Sequence, residues 1–230
     1  MNSLQPFKHL KIIDLTQPLS KNVPTWDGSC GYCSEIKKDY DQLFKVNHIQ
    51  MDAGIGTHMD APNHLFKEGQ SIDKLDLNKL ITKLVILDVT STVNADYEIS
   101  REDIEIFEKK YGQIEKDTLV VGFTGWCKFW NDSLAYRNNM RFPAFSKKAA
   151  ELLIERDVAG IAIDTLSPDC QDSTFPVHKL FLGSGKYIIE NIADCSEIPP
   201  QGAYVIALPM KLQGCTEAPA RIIALIPNSP

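Results

Sequence analysis

Apolar residues along this chain gather in short runs rather than in long stripes. Six runs rich in Val and Ile fall at residues 84–89, 118–123, 159–163, 187–190, 204–207 and 222–226. Runs of this length and β-branched content predict buried strands. Helical periodicity is scarcer. Ser100 followed by Asp103 resembles a capping box that opens an Ile104, Ile106, Phe107 stripe, which Gly112 would terminate. Ser146 caps a second run in which Ala149, Leu152 and Leu153 share a face, and this run leads through Arg156 and Asp157 into the strand before Asp164. Strands outnumber helices without regular alternation, so the pattern predicts a mixed α/β fold rather than a doubly wound one.

Polar positions are most informative where they interrupt this pattern. Residues 54 to 64 read Gly-Ile-Gly-Thr-His-Met-Asp-Ala-Pro-Asn-His, with His58, Asp60 and His64 at even spacing. On an extended segment His58 and Asp60 project from one side and could share an ion. Pro62 cannot donate to a strand ladder, so it ends the run and turns His64 over the same site. Gly54 and Gly56 permit close backbone approach.

The other histidines are His9, His48 and His178. His178 precedes Glu190, which closes the apolar run 187–190 and is costly to bury unless paired or bound to metal. His58, Asp60, His178 and Glu190 together offer two nitrogens and at least two carboxylate oxygens to one divalent ion, or to two ions bridged by a carboxylate, an inventory suited to zinc or manganese. Such an ion lowers the pKa of bound water toward neutrality, and His64 is placed to carry protons. Each residue alone has an ordinary structural use; the combination makes the case.

Composition narrows the function classes. At 230 residues, with 43% hydrophobic and 23% charged content, the chain suits one soluble globular domain over residues 1–230. No apolar run is long enough to cross a bilayer, so no membrane association is expected. Lys8, Lys11 and Asp14 break up residues 1–20, so no secretory leader is expected and the address is cytoplasmic. A formal charge of −6 would repel nucleic acid. Six scattered cysteines are expected to be reduced. Cys30-Gly-Tyr-Cys33 follows a turn-rich stretch instead of opening a helix after a strand, which favours a structural or pocket loop over a redox pair. Trp26 and Trp126 are candidate aromatic walls for a flat substrate. Asp164 and Asp169 are expected to hydrogen-bond within a turn, and His9 and His48 to be structural.

The segment from Gly56 to His64 resembles the signature His-x-Gly-Thr-His-x-Asp-x-Pro-x-His of the cyclase family of metal-dependent hydrolases, which includes bacterial kynurenine formamidases, isatin hydrolases and some polyketide cyclases. The resemblance extends through Asp14-Leu-Thr-Gln-Pro-Leu, Thr124-Gly-Trp126, Gly160 to Asp169, and Phe175-Pro-Val-His178 to Asn191. It implies a swivelling β/β/α domain, a homodimer or homotetramer, and hydrolysis of an amide or lactam C–N bond in a small, aromatic substrate such as N-formylkynurenine. By the same resemblance His58, Asp60, His178 and Glu190 hold zinc or manganese, one ion and possibly two, His64 is the general acid and base acting with metal-activated water, and Trp26 lies in a pocket-shaping loop.

The chain departs from the pattern at one ligand. The family's first histidine falls on Gly54, which implies one ion or an altered second site, with Asp52 the nearest carboxylate able to compensate. A polyketide-type cyclase and a non-hydrolytic binder of small molecules or metal are the alternatives, the latter suggested by Gly54 itself.

Overall fold

The computed structural model describes residues 9–170 and 174–228; of the stretch 1–20 weighed as a leader, residues 1–8 lie outside it. The strands are β1 Leu10–Asp14, β2 Tyr32–Lys38, β3 Val46–Met51, β4 His58–Asp60, β5 Ile81–Asp88, β6 Glu98–Ile99, β7 Leu119–Phe123, β8 Ala144–Phe145, β9 Gly160–Ile163, β10 Tyr187–Glu190, β11 Ala203–Pro209 and β12 Glu217–Pro227. The helices are α1 Leu77–Leu80, α2 Arg101–Tyr111, α3 Ser133–Arg137, α4 Lys147–Glu155 and α5 Pro176–Gly183.

The six apolar runs all form strands of one sheet, in the order β1-β12-β11-β5-β7-β9-β10-β4, and β4 pairs back onto β12. That last pairing closes the sheet into a barrel and leaves β12 flanked by β1 along one stretch and β4 along another. Closure removes the unpaired edge that β4 would otherwise expose. Strands β5, β7, β9 and β10 run parallel, and the remaining pairings of this sheet are antiparallel, so the expected mixed α/β class holds.

Alternation along the parallel strands separates two apolar layers. Leu84, Ile86, Leu119, Val121, Ala162 and Ile189 face one core, together with Val205, Ala207 and Ile222. Val85, Leu87, Val120, Ile161 and Ile188 face the other, where Ile104 of α2, Leu152 and Leu153 of α4, and Val177 and Phe181 of α5 cover them. Burial on both faces is why these strands read as continuous apolar runs.

Both expected helices form. Ser100 Oγ accepts from the Asp103 amide at 3.1 Å while the Asp103 carboxylate accepts from the Ser100 amide at 2.7 Å, a complete capping box, and Gly112 closes α2 at φ 97. Ser146 Oγ accepts from the Ala149 amide at 3.1 Å and starts α4. Arg156 then donates to both oxygens of Glu108, at 2.7 and 2.8 Å, tying α4 to α2.

The apolar pattern does not mark every element. The hairpin β2–β3 is a separate two-stranded sheet, exposed along most of its length, so it carries no continuous apolar run. Strand β12 begins at Glu217 rather than near 222, because Pro219 and Arg221 interrupt the run although Ala218, Ala220, Ile222 and Ala224 are buried. Helix α5 is signalled by Pro176 in its first turn, a position where the missing amide hydrogen costs nothing.

Candidate metal and active site

Strand β4 is the foundation of the site because it has a neighbour on each side. His58 stands opposite Glu190 of β10, and Asp60 stands opposite Glu217 of β12. Cross-strand partners share a face, and residues two apart along a strand do too. The register therefore directs His58, Asp60, Glu190 and Glu217 to one side, while Met59 between them turns into the core.

His178 arrives from α5. Asp169 accepts from the amides of Val177 at 3.0 Å and His178 at 2.9 Å, and its Oδ2 lies 2.7 Å from Nδ1 of the His178 ring. A carboxylate beside a ring nitrogen makes that nitrogen the donor, so Nε2 of His178 is left facing the site. Asp169 thus caps a helix and orients an imidazole nine residues further on, a longer-range job than the local turn bonding expected for it. His58 is fixed in the same way: its Nδ1 is 2.8 Å from the Gly56 carbonyl oxygen, which can only accept.

The two free Nε2 atoms and the two carboxylates alternate in a small ring, in which His58, Asp60 and Glu190 bring one ligand atom each within 4.8 Å of one another. His58 Nε2 is 3.5 Å from Asp60 Oδ1 and 3.4 Å from Glu190 Oε2. His178 Nε2 is 3.6 Å from Asp60 Oδ2 and 3.5 Å from Glu190 Oε1. Atoms bound to one zinc at about 2.0–2.2 Å and tetrahedral angles stand about 3.3–3.6 Å apart. Asp60 Oδ1 is buried without a hydrogen-bond partner, an expense that a cation would offset. The residues present therefore fit a divalent ion, which would also neutralise the two carboxylates.

Electrostatics of the ion-free cluster point the same way. Burial raises the Glu190 pKa, and Asp60 adds to the rise. Burial opposes the charged form of His178, but hydrogen bonds to Asp169, Asp60 and Glu190 outweigh it and carry its pKa to about 12. Burial likewise opposes ionisation of Asp60, where the His178 hydrogen bond and the charges of His58 and His64 prevail and lower its pKa.

His64 sits at the cavity mouth. Ala61 begins a short 3-10 turn over Pro62–His64, as the proline position implies, and His64 Nδ1 pairs with Glu217 Oε2. That hydrogen bond is the main reason its pKa rises to about 9. The ring centroids of His64 and His178 are 6.2 Å apart.

Gly54 meets Glu217 rather than Asp52. A Cβ on Gly54 would lie 2.9 Å from Glu217 Oε1 and 3.5 Å from His58 Nε2. Asp52 instead donates its amide to the Gly31 carbonyl at 2.9 Å and directs its carboxylate to Gly31, so the expectation that it compensates is corrected. Gly56 is required for a different reason: its φ is +62, and a Cβ would strike Leu19 at 2.3 Å.

The cluster lies in a cavity of about 340 Å³ with Trp26, Leu166 and Phe175 on its apolar side. The rings of Trp26 and Phe175 are 6.1 Å apart, and Phe175 meets His178 edge-on at 5.8 Å. Trp126, the second tryptophan expected to line this space, is instead buried in a core of Val23, Ile55, Tyr136 and Phe142, donating its ring N–H to the Tyr136 carbonyl at 2.8 Å. A larger cleft of about 510 Å³ beside Glu115 and Gln201 holds none of the cluster residues.

Supporting contacts lock the frame. Asp164 accepts from the Thr124 amide and hydroxyl at 2.9 and 2.7 Å, linking the ends of β9 and β7. Tyr136 donates to Asn191 Oδ1 at 3.0 Å, and Asn191 Nδ2 donates at 3.0 Å to the same Gly56 carbonyl that orients His58. Cys30 and Cys33 are exposed free thiols outside the cavity, and His48 pairs with Glu35 on the surface. Glu217 is the functional candidate that sequence reasoning missed; alternation of Ala218, Ala220 and Ile222 was the available signal.

The family model described as putative cyclase matches residues 13–170. The isatin hydrolase of Roseibium aggregatum is 25% identical over 246 residues, covering 96% of this chain and 93% of that protein. The kynurenine formamidase of Bacillus cereus is 24% identical over 213 residues, covering 92% and 95%. A crystal structure of an isatin hydrolase bound to the product analogue thioisatinate superimposes with a TM-score of 0.90 at 25% identity, over 96% of this chain and 94% of that one.

Proposed function

The chain belongs to the cyclase family of metal-dependent hydrolases, and on that premise we propose that it opens the C–N bond of an amide or lactam in a small aromatic substrate. The observation that carries this reading is the alternating ring of His58, Asp60, His178 and Glu190, with spacings of 3.4 to 3.6 Å between neighbours. When held there, a divalent ion such as zinc or manganese polarises a carbonyl group and acidifies water.

The chain's own residues supply the rest. Trp26 and Phe175 offer aromatic faces against which a substrate ring packs, leaving its carbonyl directed toward His58 and His178. His64 Nδ1 is held by Glu217, so its ring is fixed at the mouth and delivers a proton to the departing nitrogen. Asp169 keeps the His178 ring in its orientation. A cavity of about 340 Å³ suits a substrate of one or two rings and disfavours a polyketide.

The reading extends to a homodimer or homotetramer in the cytoplasm. Exposed Ile36, Leu43, Phe44 and Ile49 on the β2–β3 hairpin support self-association. No helix among the described residues is long and apolar enough to cross a membrane.

The test is a panel of N-formyl aromatic amines and lactams offered to chelator-stripped protein, with zinc or manganese restored. Turnover that depends on the added ion and disappears in Asp60→Ala supports the proposal. Tight binding of these compounds without turnover, whatever ion is added, supports a binding protein instead.

A further inference from the structure

The unpartnered oxygen at the centre of the site has a carboxylate neighbour from an unexpected strand. Asp60 Oδ2 faces His178, whereas Oδ1 faces His58 at 3.5 Å and has no hydrogen-bond partner. Asp60 is 2% exposed, so water does not relieve this oxygen. Directly across the β4–β12 ladder stands Glu217. One oxygen of Asp60 and one of Glu217 lie within 4.8 Å of each other, close enough to share an ion.

The two oxygens of Glu217 face different ways. Oε2 pairs with His64 Nδ1. Oε1 points toward Gly54, 2.9 Å from where a Cβ would stand, and that Cβ would itself be 3.5 Å from His58 Nε2. A side chain at 54 would displace the Glu217 carboxylate from this position. Orienting His64 uses only one of the two oxygens, and the bare position 54 leaves room for the other beside the site.

We propose that Glu217 is a metal ligand, entering through Oε1 the coordination position beside His58 and Asp60 that a side chain at residue 54 would otherwise fill. This rests on the metal-dependent reading above. The ligand comes from β12 rather than from the loop before β4, and the register of the barrel closure sets it in place. One carboxylate then does two jobs, holding the ion with one oxygen and His64 with the other. Three carboxylates, Asp60, Glu190 and Glu217, now face the centre, and harder oxygen donors shift preference from zinc toward manganese.

The experiment measures binding of Mn²⁺ and Zn²⁺ to chelator-stripped full-length protein by competition titration, for the natural chain and for Glu217→Gln, Glu217→Ala and His64→Gln. The near-isosteric Glu217→Gln guards against misfolding, checked by circular dichroism. Both Glu217 variants are expected to lose one bound equivalent, or to bind about tenfold more weakly or worse, with manganese affected more than zinc, while His64→Gln binds like the natural chain. Glu217 variants that bind ions as the natural chain does but turn over more slowly would overturn the proposal, leaving Glu217 as a positioning residue for His64. A natural chain that binds neither ion overturns both this inference and the metal-dependent function, so the two failures are distinguishable.

Discussion

Asp169 Oδ2 lies 2.7 Å from Nδ1 of His178 and 2.9 Å from the amide of the same residue. The first contact orients a candidate ligand, and the second caps the helix that carries it. Asp169→Ala should therefore weaken ion binding by about 10–100-fold. It should also lower the stability of the ion-free protein by about 1–2 kcal/mol. Titration of the ion, and urea unfolding in chelator, measure the two effects separately.

His64→Gln should leave the His58, Asp60, His178 and Glu190 centre able to bind its ion while slowing turnover by about 10²–10⁴-fold. Steady-state rates at saturating metal provide the check. Unchanged turnover would remove His64 from the proton-transfer role.

The same residue gives a pH signature in ion-free protein. Its pKa is raised to about 9, chiefly by the hydrogen bond to Glu217. A group with a raised folded-state pKa stabilises fully below its unfolded value, about 6.5 for histidine, and loses that contribution as pH climbs through about 9. Urea midpoints should consequently fall more steeply from pH 6.5 to 9.5 in the natural chain than in His64→Gln. Parallel profiles would contradict the pairing.

The Glu108 and Arg156 pair joins α2 to α4 away from the site. Its hydrogen bond to Arg156 holds the Glu108 pKa below the ordinary value. A depressed carboxylate stabilises above its unfolded pKa and loses that contribution as pH falls through its folded one. Glu108→Gln should cost about 1–3 kcal/mol at pH 7 and far less under acid conditions. Denaturant unfolding at both values tests the claim, with kinetics of the residual folded enzyme unchanged.

Leu43 and Phe44 at the tip of the β2–β3 hairpin are 77% and 66% exposed. Replacing both by Glu should shift a homodimer or homotetramer toward monomer in sedimentation velocity. A natural chain that sediments as a monomer would refute self-association.

What the sequence made legible follows from burial. The apolar runs that became β5, β7, β9 and β10 are covered on both faces, and such strands announce themselves without partners. His58 and Asp60 were legible as a pair because alternation on one strand needs no tertiary knowledge. Glu217 was not, since its relation to Asp60 exists only once β4 pairs with β12. Asp169 follows an apolar strand and so reads as a turn residue, whereas its partner His178 lies nine residues further on, at a helix start. Trp126 misled because a tryptophan beside a motif reads as a substrate wall, whereas here Tyr136 accepts its N–H within an apolar core.

The most direct test of the central claim is elemental analysis of protein purified without chelator, alongside Asp60→Ala. At least one equivalent of divalent zinc or manganese per natural chain, falling to near trace in Asp60→Ala, is the predicted result. Trace metal in the natural chain, with no uptake when zinc or manganese is added, would contradict it.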